Sequence, residues 1–197
     1  MKINDKTIEA AKARARDLGV ECPEYDDFPV WYANFVNEAL MSLPREKRPD
    51  LVCSFDTLFR LYPDDAEITS WRGKADGLCL YSKNALAFEL QNMLSGTRHT
   101  IYHECGHLMT SDNMFPWGFR QAAERCVGTS RGLLKQYLEK GQTNELFAEA
   151  WAMYHLDRDV LPDYIAKYIE PLTNTISDEN KTGENGEGDP EGDKIYL

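Results

Sequence analysis

The chain has no run of about 18 apolar residues, so no stretch of it reads as a membrane-crossing helix. Its first residues, MKINDKTIEAAKARARDLG, lack the apolar stretch and small-residue cleavage site of a secretory signal. No two cysteines are spaced CxxC. The five present (Cys22, Cys53, Cys79, Cys105 and Cys126) are odd in number and widely separated. That argues against a disulfide scaffold, favours a reducing compartment, and leaves each thiol as a small buried apolar group. Positive charge is also short: 22 Lys and Arg stand against 33 Asp and Glu, a net charge of -11. Such a surface repels phosphate backbones, so nucleic acid is not expected as a partner; the lack of a long apolar run leaves no membrane partner expected either. No internal repeat occurs. These features suit a cytoplasmic protein, by association a bacterial or phage-encoded one.

What remains is enough for one ordinary domain with a core: 197 residues, 42% of them hydrophobic. Asp5 is placed to cap a helix ending near Leu18, with Ile8, Ala11, Ala15 and Leu18 at helical spacing and Gly19 to stop it. An acidic loop covers residues 20–27. A second helix carries Phe28, Trp31, Tyr32, Phe35, Val36, Ala39 and Leu40 and stops at Leu43-Pro44. The period then changes. Strands are expected at Leu51–Phe55, Ala66–Trp71 and Leu78–Tyr81, with RGKADG as a hairpin-like turn between the last two. From Asn84 the pattern reads as helical, interrupted by Gly96, with a new helix over Thr97–Met109. SDNMFPWG is a loop, and helices are expected near Phe119–Val127, Ser130–Lys140, Asn144–Leu156 and Pro162–Ile169. Three segments result: an N-terminal helical segment (1–45), a central domain (46–173), and a tail (174–197). The tail is acidic and almost without apolar residues, a composition that favours disorder.

The informative stretch is Thr100-Ile101-Tyr102-His103-Glu104-Cys105-Gly106-His107, an HExxH motif. On a helix, positions four apart share a face, so His103 and His107 can present two imidazole nitrogens to one ion. Glu104 lies about 100° round the helix and can reach a water beside that ion without ligating it. Zinc lowers the pKa of such a water, and the carboxylate takes the proton. Ile101, Cys105 and Leu108 form an apolar stripe, so the histidines are expected to be buried. Two core histidines satisfied by hydrogen bonds are the alternative.

A catalytic zinc site needs a third protein ligand. The metzincin pattern requires Gly and His where this chain has Thr110 and Asn113, so that class is excluded. His99 shares the face but sits a turn away and would need a sharp bend to complete the site. A better source is the segment from Asn144 to His155. There Glu145 and Glu149 stand four apart beside an apolar stripe of Leu146, Ala150 and Tyr154. One glutamate can ligate zinc. The other can accept the remaining N–H of a metal-bound imidazole.

HExxH followed by an NExxxE helix resembles the gluzincins, and NELFAEAW, about 38 residues after His107, looks most like the anthrax lethal factor and Pro-Pro endopeptidase group. The resemblance covers roughly residues 66–157. It implies Zn2+ as cofactor, with His103, His107 and Glu145 as metal ligands and Glu149 as the partner of a metal-bound histidine. It also implies Glu104 as catalytic base. The group carries an oxyanion-stabilising tyrosine shortly before its third ligand, and Tyr137 lies eight residues before Glu145. The implied fold is α+β and zincin-like, mostly helical, with a small mixed sheet packed on an active-site helix and a second metal-ligand helix. Zincins bind an extended peptide along an edge strand, and Ala75–Tyr81 is similarly placed. The expected activity is a metallopeptidase acting on a peptide or protein substrate. An ImmA/IrrE-like zincin acting on a repressor ranks second. A non-catalytic zinc-fold interaction protein ranks third, since a structural site has no use for Glu104.

Overall fold

The computed structural model describes residues 2–89, 97–110, 115–126 and 132–173 of the chain. They form a mixed α+β structure, mostly helical, around a three-stranded sheet. The tail at 174–197 and residues 111–114 of the expected loop lie outside the described residues.

Two helices open the chain, α1 (Ile8–Asp17) and α2 (Val30–Met41), joined through a 3-10 turn at Pro23–Asp27. The cap of α1 is Thr7, whose side chain accepts from the Ala10 amide. Asp5 is instead drawn into a two-pronged pair with Arg14, so it is not the cap. Buried Asn37 accepts from the Tyr25 hydroxyl at 2.9 Å and donates to the Ala11 carbonyl at 3.0 Å, tying the three pieces together.

The sheet runs β1 (Leu51–Ser54), β3 (Ala85–Phe88), β2 (Gly77–Leu80). β1 is parallel to β3, and β2 is antiparallel to it and forms an edge. Between β1 and β2 lie α3 (Phe55–Leu61), capped by Ser54, and α4 (Ala66–Ser70).

Several expectations fail here. Phe55 starts a helix rather than ending a strand, because the Ser54 side chain accepts from the Thr57 amide. Ala66–Trp71 is not a strand. Asp65 caps it by accepting from the Glu67 and Ile68 amides, and Ile68 alone reaches the core. RGKADG is therefore a helix-to-strand loop and not a hairpin turn. The segment after Asn84 is strand β3, not helix. Asn84, at φ 45°, turns the chain into it, and all four of its residues are buried.

Because the sheet is covered on both sides, its alternating side chains feed two cores. Cys53, Leu78, Leu80, Ala85 and Ala87 pack with Phe55, Leu58, Phe59 and Ile68 of α3 and α4. Val52, Leu86 and Phe88 pack on the larger core, which includes Ala11, Val36 and Leu40 of the first two helices. The same core takes Ile101, Cys105 and Leu108 of α5 (Thr97–Met109) and Phe147 and Trp151 of α8 (Thr143–Leu156). Between them come α6 (Phe119–Glu124) and α7 (Gly132–Glu139), and α9 (Asp163–Ala166) follows. Among the described residues no helix is long and apolar enough to cross a membrane.

Candidate metal centre

Small residues on α5 and α8 decide how closely the two helices approach. A Cβ built on Gly106 would lie 2.6 Å from the Ala148 Cα and 3.0 Å from the Trp151 Cβ. Only glycine permits that approach without displacement. Gly106 sits between His103 and His107 in sequence, and Ala148 sits between Glu145 and Glu149. The contact therefore sets the two pairs of polar side chains against each other.

Glu145 Oε2 lies 3.2 Å from His103 Nε2 and 3.5 Å from His107 Nε2. The ligand atoms of His103, His107 and Glu145 all fall within 4.8 Å of one another. Zinc bonds of about 2.0–2.1 Å at tetrahedral angles place neighbouring ligand atoms about 3.3 Å apart. The two nitrogen-to-oxygen separations straddle that value, and two imidazoles with one carboxylate are a donor set zinc accepts. The residues fit the ion.

Glu149 lies behind this cluster, 1% exposed. Its Oε2 faces His103 Nδ1 at 3.3 Å and its Oε1 faces His99 Nε2 at 3.0 Å. A carboxylate accepting from Nδ1–H leaves the Nε2 lone pair of His103 on the side of Glu145 and His107.

The charges of the cluster are mutually set. Hydrogen bonds from His103 and then His107 hold the Glu145 carboxyl far below the usual carboxylate range. Burial works against ionising Glu149, yet His103 and His99 draw it down to about 2. Burial likewise works against charging His103, but Glu145 and Glu149 raise it to about 9. With both ring nitrogens protonated, His103 can donate from Nδ1 to Glu149 and from Nε2 to Glu145. A divalent ion ligated at Nε2 would displace the proton there.

Glu104 projects toward the edge strand. A Cβ on Gly77 would come within 2.9 Å of Glu104 Oε1 and 2.6 Å of Thr100 Cγ2, so glycine lets β2 press against α5. The Cys79 amide donates to the Glu104 carboxylate. Burial pushes the Glu104 carboxyl above its ordinary range, against the pull of His107 and His103. Beyond the strand, the Tyr81 hydroxyl donates to the His107 carbonyl at 3.2 Å.

Tyr137, on α7, lies with its ring 6.1 Å from that of His103. Burial first, then Glu145, Glu149 and Glu104, push its phenol upward, so it stays a hydrogen-bond donor at neutral pH.

All six residues singled out in the sequence (His103, Glu104, His107, Tyr137, Glu145 and Glu149) thus gather around one point. Three contributions do not follow from the sequence, which offers His99 only as a bent third ligand. His99 reaches Glu149 rather than the cluster of ligand atoms. Its spacing, four before His103, was the available signal, but the partner across the helix pair was not visible. Gly106 and the backbone of β2 were likewise silent, because their roles depend on how the elements meet.

Comparison with protein-family models, with curated proteins and with solved structures finds no match to this chain.

Proposed function

We propose that the chain is a zinc-dependent metallopeptidase with a zincin arrangement, in which His103, His107 and Glu145 hold the ion. The observation that carries this is the convergence of three ligand atoms from two helices within 4.8 Å of one another, the Glu145 oxygen 3.2 and 3.5 Å from the two histidine nitrogens, with Glu104 beside them. Zinc held there would supply Lewis acidity, acidifying water and polarising a peptide carbonyl.

The chain's own residues supply the rest. Glu104, buried and with raised proton affinity, takes a proton from the attacking water at its carboxylate. It then passes that proton to the nitrogen of the departing amine. The Cys79 amide fixes the carboxylate in place while it does so. Tyr137, kept protonated by its neighbours, donates its hydroxyl to the developing oxyanion. Glu149 fixes the tautomer of His103. Among the described residues β2 is an edge strand, antiparallel to its neighbour and pressed on α5, which supports an extended peptide as substrate lying along it, with the Cys79 amide kept for Glu104. A purely structural metal site would have no use for Glu104, buried beside the ligands.

The test is hydrolysis of a quenched-fluorophore peptide library by the zinc-loaded protein and by Glu104→Gln. The library should be cleaved by the native chain and left intact by the variant, with zinc content equal in both. Equal turnover by the variant would rule the mechanism out.

A further inference from the structure

We infer that His99 is a positioning residue of the metal centre, acting through Glu149 on His103. The role rests on the zinc reading of the site and extends it by one residue outward. Glu149 is the hinge of the inference: a carboxylate 1% exposed, with one oxygen turned to each of two imidazoles. Its Oε2 accepts from His103 Nδ1 and its Oε1 from His99 Nε2.

A carboxylate held by one hydrogen bond can rotate about its terminal torsion, whose preferences are broad. Held at both oxygens, it has one orientation, and the His103 ring is then fixed with it. His99, His103 and His107 stand four apart on α5 and turn gradually round the helix. The outermost, His99, has a side chain 39% exposed, so it reaches the carboxylate from the solvent side. Its contact is a hydrogen bond of 3.0 Å, shorter than the 3.3 Å bond on the other side.

Removing His99 leaves Glu149 Oε1 in a buried place without its donor. The carboxylate then turns to seek another partner, and the His103 tautomer loses its anchor. Groups that orient metal-bound histidines change metal affinity by about 10- to 100-fold. One bond further out, the lower end of that range is expected.

The experiment is a zinc titration of the metal-free full chain against a competing chromophoric chelator. It compares wild type, His99→Leu and His99→Gln, with each substitution repeated in a Glu149→Ala background. The expected result is about tenfold weaker zinc binding in His99→Leu and recovery to within about threefold in His99→Gln, whose amide still donates. In the Glu149→Ala background, His99→Leu should add nothing. Wild-type affinity in His99→Leu would overturn the role. So would a glutamine as weak as leucine, or a loss that persists without Glu149, which would mark a merely structural effect. A wild-type chain that binds no zinc would overturn the zinc reading, and this role with it.

Discussion

Gly106 and Ala148 meet so closely that a single methyl group at Gly106 would overlap the Ala148 backbone, at 2.6 Å from its Cα. The contact lies at the crossing of α5 and α8, with one half of the candidate site on each helix.

Gly106→Ala should therefore wedge the helices apart. Overpacking of this kind costs about 1–3 kcal/mol. The melting temperature should fall by several degrees and zinc affinity should fall with it. Gly77→Ala pushes instead on the Thr100 methyl and the Glu104 carboxylate, so it should lower peptide turnover more than stability. Thermal melts and turnover of both variants check the pair. An unchanged melt for Gly106→Ala would mean the helices do not meet there.

The two glutamates of α8 should separate by function. Glu145→Ala removes the carboxylate oxygen that faces both His103 and His107, so zinc occupancy should collapse. Glu149→Ala leaves three ligands and costs about 10- to 100-fold in affinity. Calorimetric titration with zinc measures both. The reverse order would mean that ligand and supporting carboxylate have been exchanged.

His155 gives a pH prediction away from the metal ligands. Its ring stacks on Tyr102 at 5.2 Å and lies 4.7 Å from that of Trp151. Its Nε2 is buried with no partner among the described residues. Burial lowers its pKa to about 4. The unfolded chain takes up this proton near pH 6.5, before the folded one does. Stability from this group is thus level above about 6.5, falls as pH drops from there toward 4, and is level again below. His155→Phe should remove on the order of 1–3 kcal/mol of that decline. Urea unfolding at pH 7 and pH 4.5 measures it. Equal pH slopes in the two proteins would contradict the assignment.

How much of this was legible in the sequence depended on length and period. The helix over Thr97–Met109 was read with its observed bounds, and Asn144–Leu156 to within one residue, because each runs several turns with a sustained apolar stripe. β3 does not show in the sequence, since a central strand buried on both faces has no alternation and Ala85-Leu86-Ala87-Phe88 suits a helix equally well. α4 was misread because five residues with one core side chain carry almost no period, and only the Asp65 cap gives it away. The candidate site was legible as two pairs of residues four apart, one on each long helix. What joins the pairs, Gly106 against Ala148, could not be read from either segment alone. The reach of His99 across to Glu149 was hidden for the same reason.

The most direct test is elemental analysis of the purified chain, never exposed to chelator, beside a His107→Ala variant. About one zinc per native chain and almost none in the variant is the expected result. A native chain without zinc, or a variant that keeps it, would rule out zinc held by His107. The cluster of His103, His107 and Glu145 would then be no more than a hydrogen-bonded contact between two helices.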